Sequence, residues 1–481
     1  MSINSFSVLI AVSLLLIMLG ILQFIRLHNT RLNGSISVVQ RAILLVFSYW
    51  FICMADVCFL IVIIIYTVIV YVIGRLLEVE RTKKGMLAVG VVISVIMLGY
   101  FKYTNFFLSE WSLLIGEVSP VKNIILPIGI SFYTFSGMAY LIDVYRGDYL
   151  SEKNILNVAL YIAFFVKLTA GPIVRGNVFL SQLKHYQGIV VDDVLDGIQI
   201  FVFGLFKKIV LADHLCVFVD DVFYAPTAYN TGTVILAVVS YSLQIYFDFA
   251  GYSDMAVGMA RILGFRFDRN FNLPYIATNM SDFWKRWHIS LSSWFLDYLY
   301  IPLGGSRKGT CRKYVNLMIV MLVSGLWHGV GVTFIIWGAL HGVASCISNC
   351  FEKKDICGRH FSVALQGVKI SVTYIIVAFL WIVFRADSWN NAVAVYKSMF
   401  TAHSGISQPY TWTFFAIACL LIGTYVAYRR ACKIRAEEGI EGFYPIMNLR
   451  TIYGMTVFLT FCGLTILMGY FGNTVFIYGR F

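Results

Sequence analysis

The stretch LVSGLWHGVGVTFIIWGALHG, residues 322–342, is apolar almost throughout and yet carries two imidazoles, His328 and His341. Imidazole takes and gives a proton near neutral pH, so a histidine held away from water is equipped for acid–base chemistry. Ser324, Gly325, Gly329 and Gly331 remove side-chain bulk around His328, which permits either close helix packing or a passage for a narrow substrate. A purely structural imidazole, giving one hydrogen bond to a neighbouring helix, is the alternative. His341 falls about 140° away from His328 on one continuous helix and reads as structural. A further histidine, His288, lies in FWKRWHISLSSWF (283–295). In QIYFDFAGYSDMA (244–256), Asp248 and Asp254 are six residues apart, on different helix faces, so they cannot form a carboxylate dyad on one helix. Gly251 between them suggests a helix break, and Arg261 and Arg266 are available as ion-pair partners. Cys346 and Cys350 share a helix face but lack a second pair, so no metal centre is expected. The ten cysteines read as small hydrophobes.

The solvent around these groups follows from composition. Of 481 residues, 59% are hydrophobic and 13% charged, with mean hydropathy +0.78. That is a polytopic membrane protein, all-α, with the lipid bilayer as its principal surroundings. Apolar runs at 5–25, 42–74, 86–108, 124–142, 155–174, 194–212, 232–250, 315–347, 362–384, 411–428 and 451–472 predict about eleven transmembrane helices. Two of them, 42–74 and 315–347, are too long for one crossing, since about 33 residues extend roughly 50 Å against a hydrocarbon core near 30 Å. Each is expected to be a hairpin or a broken helix, the first turning near Asp56. Arg26, Arg31 and Arg41 follow the first run, which places that loop in the cytoplasm and the amino terminus outside; Arg75 to Lys84 form a second cytoplasmic loop. The net charge of +12 sits mainly in such loops, so it marks membrane orientation and not nucleic-acid binding. No repeat or linker divides the chain, and residues 1–481 read as a single membrane domain whose first 110 residues are the least distinctive.

Residues 266–313 are too polar to span and too aromatic for a solvated loop. On a helical wheel, Phe283, Trp284, Trp287, Leu291, Trp294, Phe295 and Tyr298 fall within about 120°, which predicts an amphipathic helix over 281–300 at the membrane interface. His288 sits at the edge of its aromatic face, and Ile289 and Leu296 fall on the polar side. Ser281 or Asp282 is suited to cap its start, and Pro302, Gly304 and Gly305 to end it. Arg307, Lys308, Arg312 and Lys313 then mark a cytoplasmic flank. From Tyr314 to His328 is about 21 Å of helix, past the midplane, where an ionisable group is costly and a functional candidate.

Several strings carry a family resemblance: LPIGISFYTFSGMAYLIDVYRG (126–147), GPIVR (171–175), GLFKKIVLADHL (204–215), YFDFAGYSDMAVGMARILGFRF (246–267), FWKRWHISLSSWFLDYLYIPLGGSRKG (283–309), GLWHG (325–329), FLWIVFRA (379–386) and GNTVFIYGRF (472–481). From about residue 95 onward they resemble the membrane-bound O-acyltransferase family, and within it the bacterial branch containing the membrane subunit of alginate O-acetylation. The resemblance implies a multi-helix bundle with interfacial and re-entrant helices around a central tunnel, a buried catalytic His328 and an upstream partner, His288. It implies transfer of acetyl from acetyl-coenzyme A toward an extracytoplasmic polysaccharide or peptidoglycan, by way of an extracytoplasmic acetyltransferase partner, in the cytoplasmic membrane. No bound cofactor or metal is expected. Trp327 and Ser324 would line the substrate path, and Arg307 and Lys308 would attract the phosphates of the donor. In this pair His288 would orient the acceptor, hydrogen-bond His328 or stabilise the oxyanion. Within the family, the alternative is D-alanyl transfer to teichoic acid from a carrier protein; outside it, a transporter or flippase with a proton-relay histidine.

Overall fold

The computed structural model describes residues 6–29, 33–79, 83–115, 124–169, 171–186, 188–352, 363–436 and 447–472; Arg31, part of the 75–84 loop and the terminal string beyond Gly472 lie outside these. The described residues form helices α1 (Phe6–His28), α2 (Asn33–Cys53), α3 (Val57–Leu76), α4 (Lys83–Ile115), α5 (Ile130–Arg146), α6 (Ile155–Ala163), α7 (Phe165–Leu168), α8 (Gly176–Lys184), α9 (Val191–Leu205) and α10 (Asp213–Tyr224). There follow α11 (Thr231–Ile262), α12 (Met280–Arg286), α13 (Ile289–Phe295), α14 (Thr310–His328), α15 (Val332–Glu352), α16 (Val363–Arg385), α17 (Trp389–Phe400), α18 (Thr411–Ala436) and α19 (Ile452–Met468). Among the described residues the only β pairing is an isolated bridge between Tyr229 and Ile406.

Seven of the helices are long and apolar enough to cross a membrane, namely α1 to α4, α11, α15 and α16, with α18 and α19 as shorter apolar helices. The runs at 124–142, 155–174 and 194–212 do not add long spans: they fold into α5, the pair α6 and α7, and α9. Most of α5 and nearly all of α6 are buried in protein, and a helix enclosed on all sides is apolar on all sides whether or not it meets lipid. The turn near Asp56 is present, with its carboxylate accepting from the Cys58 amide at 2.7 Å to cap α3.

The contacts of the chain group it into two compact units, each assembled from two stretches: Met1–Phe201 with Met255–Asp268, and Val202–Asp254 with Arg269–Phe481. In the first, Arg261 pairs with Asp193 and Asp196 at 3.2 and 2.7 Å, and Arg266 reaches Asp193 at 3.3 Å. Both arginines thus have carboxylate partners within this unit. Asp248 and Asp254, in the second unit, take adjacent lysines: Lys208 reaches Asp248 and Asp213, both at 2.6 Å, and Lys207 reaches Asp254 at 2.5 Å. A π-helical turn over Phe206–Ala212 carries both lysines. Nor does α11 break at Gly251. The missing side chain lets the backbone of Gly204 and Lys208 approach the unbroken helix.

The 315–347 run is the expected hairpin, α14 and α15, turning at Gly329–Gly331 immediately after His328. Gly325 and Gly338 face each other across it: a methyl on Gly325 would strike the Phe334 carbonyl, and one on Gly338 the Met321 carbonyl. Small residues here are what lets the two backbones touch. Gly325→Leu is therefore expected to lower stability by about 1–3 kcal/mol or more, read as a drop in melting temperature of the detergent-purified protein. An unchanged melting temperature would show that the hairpin opens freely at this point.

Candidate active site

The continuous interfacial helix expected over 281–300 is two helices with His288 at the break. Asn279, not Ser281 or Asp282, caps α12, accepting from the Asp282 amide at 2.6 Å. At Trp287 the backbone becomes extended, and at His288 it is left-handed, φ 44° and ψ 55°, which restarts the chain as α13. The aromatic face does not lie at a waterline. Phe283 and Trp287 are buried, and His288 is 0% exposed, because the hydrophobic stripe packs against protein. Periodicity records that a face is apolar but not what covers it.

Around His288, the Asn270 side-chain oxygen lies 3.2 Å from Nδ1 and accepts from the Ser290 amide and hydroxyl at 3.1 and 3.0 Å. The Asn270 main-chain carbonyl accepts from the Ile289 amide at 2.9 Å. The imidazole meets the Phe249 ring edge-on at 4.6 Å and the Trp327 ring at 6.0 Å, centroid to centroid.

His328 ends α14 and is 3% exposed. Its ring lies 5.0 Å from Trp327, 5.2 Å from Trp337 and 5.5 Å from Phe384. Trp327 thus rests against both histidines, and the separation that a surface-lying 281–300 helix would impose does not exist. His341 also belongs to this cluster. Its ring is 4.7 Å from Trp337, 5.1 Å from Trp284 and 6.0 Å from Trp381. Placing His328 and His341 on one wheel is invalid across the hairpin turn, since the two residues stand on different helices.

Two of the cavities among the described residues of this unit lie near the cluster. One, of about 390 Å³, is lined chiefly by apolar groups with Lys285 and Lys313 among them, and it reaches Ser324, one turn before His328. Ile289 and Leu296, the two apolar residues on the polar side of the wheel, line it, which accounts for their placement. The other, of about 350 Å³, is more polar, with Gln244, Thr333 and Arg385 beside Phe334 and Phe384, and it includes Gly331, just after His328. His328 is in the lining of neither. Gly325 and Gly329 do not widen a passage, since α15 and the Phe334 ring fill the space beside them. Arg307 and Lys308 are exposed in the turn before α14 and line neither cavity; Lys313 does, and it donates to Asn349 at 2.6 Å. Cys346 and Cys350 both face Tyr314, and among the described residues no three potential metal ligands cluster.

Sequence reasoning missed Asn270, Trp337, Trp381 and Phe384. The last two lie in FLWIVFRA, whose unbroken aromatic and aliphatic content was the available signal; Asn270 gave none.

Fold and site together define a multi-pass, all-helical membrane protein with three buried histidines, His288, His328 and His341, in an aromatic cluster. The family model described as MBOAT, membrane-bound O-acyltransferase family, matches residues 150–351, which include His288, His328 and His341. The chain is 40% identical over 413 residues to the probable alginate O-acetylase AlgI of Pseudomonas aeruginosa, covering 84% of this chain and 77% of that protein. It is 37% identical over 344 residues to a peptidoglycan O-acetyltransferase of Helicobacter pylori, covering 66% and 65%. To a teichoic acid D-alanyltransferase of Bacillus subtilis it is 30% identical over 290 residues, covering 58% and 72%. The chain belongs to the membrane-bound O-acyltransferase family, and it is a membrane O-acyltransferase.

Proposed function

We propose that this enzyme moves acetyl groups from acetyl-coenzyme A, on the cytoplasmic side of the cytoplasmic membrane, to a hydroxyl acceptor on the other side, with His328 as general base. The observation that carries the reading is the place of His328, buried at the end of α14, with one cavity reaching Ser324 before it and another reaching Gly331 after it. The first cavity has the apolar walls and the lysines that suit a slender thioester arm attached to phosphates. The relatives named for alginate and peptidoglycan acetylation support an extracytoplasmic polysaccharide or peptidoglycan as the final acceptor, reached through an extracytoplasmic acetyltransferase partner. D-alanyl transfer takes second place, because the relative that carries that name is less similar over a shorter stretch of this chain. The positive loops orient the amino terminus away from the cytoplasm.

In the reaction the acceptor oxygen bonds to the thioester carbonyl carbon while its proton passes to the His328 imidazole. The carbon–sulfur bond then breaks, and that proton goes to the departing thiolate, leaving an acetyl ester and free coenzyme A. Full-length protein in lipid nanodiscs, given acetyl-coenzyme A labelled in the acetyl group, should release free thiol and pass label to an acceptor or to water. No thiol release from folded protein would overturn the reading. In the same assay, Lys285→Gln with Lys313→Gln should raise the KM for the donor about tenfold at low salt and less at high salt. Arg307→Gln with Lys308→Gln should raise it less, since neither residue lines the cavity.

A further inference from the structure

We propose that Asn270 is a positioning residue that fixes the tautomer of His288 and thereby makes His288 a hydrogen-bond acceptor in the reaction. This rests on the proposed acetyl transfer and on the part in it that the family resemblance implies for His288.

The Ser290 main-chain nitrogen can only donate, and it lies 3.1 Å from Oδ1 of Asn270. That contact orients the amide, because turning it over would set two N–H groups against each other. The Ser290 hydroxyl, 3.0 Å from the same oxygen, donates to it as well. His288 Nδ1 therefore faces an oxygen at 3.2 Å and must carry the hydrogen, since two lone pairs at that distance repel. The neutral ring then has its lone pair on Nε2. Asn270 also holds the main chain at this point through its carbonyl and the Ile289 amide, 2.9 Å apart, which supports the left-handed backbone of His288. Asn270 itself is 1% exposed, so water does not compete for these bonds.

The tautomer separates the roles open to His288. A neutral ring with hydrogen on Nδ1 cannot give a hydrogen bond from Nε2 to a developing oxyanion. It can accept one at Nε2, from the acceptor hydroxyl or from an N–H of His328. Orienting a proton donor is thus the assigned role, and stabilising the oxyanion is not.

The groups packed on His288 include Phe249 from α11, Trp327 from α14, and Asn270 and Ser290 of its own segment, none of which ionises near neutral pH. Trp327 in turn meets the ring of His328. A change of charge at position 270 acts on His288 at hydrogen-bond distance.

Two measurements test the proposal. Nitrogen-15 spectra of histidine-labelled full-length protein in nanodiscs, with His288 assigned by its absence from His288→Asn, report the tautomer without turnover. Hydrogen on Nδ1 is expected, and hydrogen on Nε2 alone would overturn the proposal. In the thiol-release assay, Asn270→Leu should lower kcat on the order of 10²-fold, as a small misplacement of a reacting group does, with little change in donor KM. Asn270→Asp keeps the accepting oxygen for all three donors and should retain activity, with the acidic limb of its pH–rate profile moved up by about one unit. Should the leucine variant fail to fold, the aspartate variant decides, and a profile identical to wild type would overturn the proposal. Full activity in His288→Asn would instead overturn the part in the reaction that the family resemblance implies for His288, whatever the tautomer.

Discussion

His328→Gln is expected to lower acetyl transfer by about 10²–10⁴-fold, the usual cost of losing a catalytic base, while the protein stays inserted and monodisperse. Glutamine is the informative replacement because the imidazole is packed by Trp327, Trp337 and Phe384. Alanine would leave a void among those rings and add a packing cost to the chemical one. The flanking glycines do not soften that cost, as Gly325 and Gly329 already sit against α15 and Phe334. His328→Ala should lose as much activity and also melt earlier. Rates of thiol release alongside thermal unfolding separate the two effects. A glutamine variant with near-normal turnover would make His328 a structural residue and remove the centre of the proposed mechanism.

Lys208→Met is expected to be among the most destabilising single changes in the protein. Its ammonium is 2.6 Å from each of two carboxylates, Asp213 and Asp248, and all three side chains are buried. Removing the cation strands two like charges away from water, for which about 3–5 kcal/mol is usual. Adding Asp213→Asn and Asp248→Asn should restore much of the loss, since neutral amides no longer need the ammonium. Lys207→Gln should cost less, because Lys207 is partly exposed and answers one carboxylate, Asp254. Melting temperatures of the purified variants give the comparison; a lysine-to-methionine change without effect would mean that the carboxylates are already protonated.

Composition and run length made the membrane class and both hairpins legible, because the thickness of the bilayer limits how far an apolar helix can extend. The resemblance implied that His288 and His328 work together, and treating the 281–300 segment as one surface helix hid that Trp327 lies against both rings. Nothing local announces that the helix breaks at His288, since the break is held by Asn270, eighteen residues earlier. The same holds for Asp248, whose lysine stands forty residues away. Periodicity sees neighbours along a helix, and partners brought by tertiary packing are invisible to it. His341 is a different case. The length of the 315–347 run already required a turn, and that turn was enough to take His341 off the wheel of His328.

Leu273 and His288 are the two residues other than glycine with positive φ among those described. At position 288 the backbone therefore limits which side chains can occupy the site. Asparagine, aspartate and glycine tolerate the left-handed region best, histidine is also enriched there, and branched or bulky residues are strained. Variation at this position is thereby narrowed to an imidazole, an amide, a carboxylate or nothing, all but the last able to accept a hydrogen bond. A library built at residue 288 should recover stable protein mainly from those four, so the shape of the chain selects the chemistry on offer before catalysis has any say.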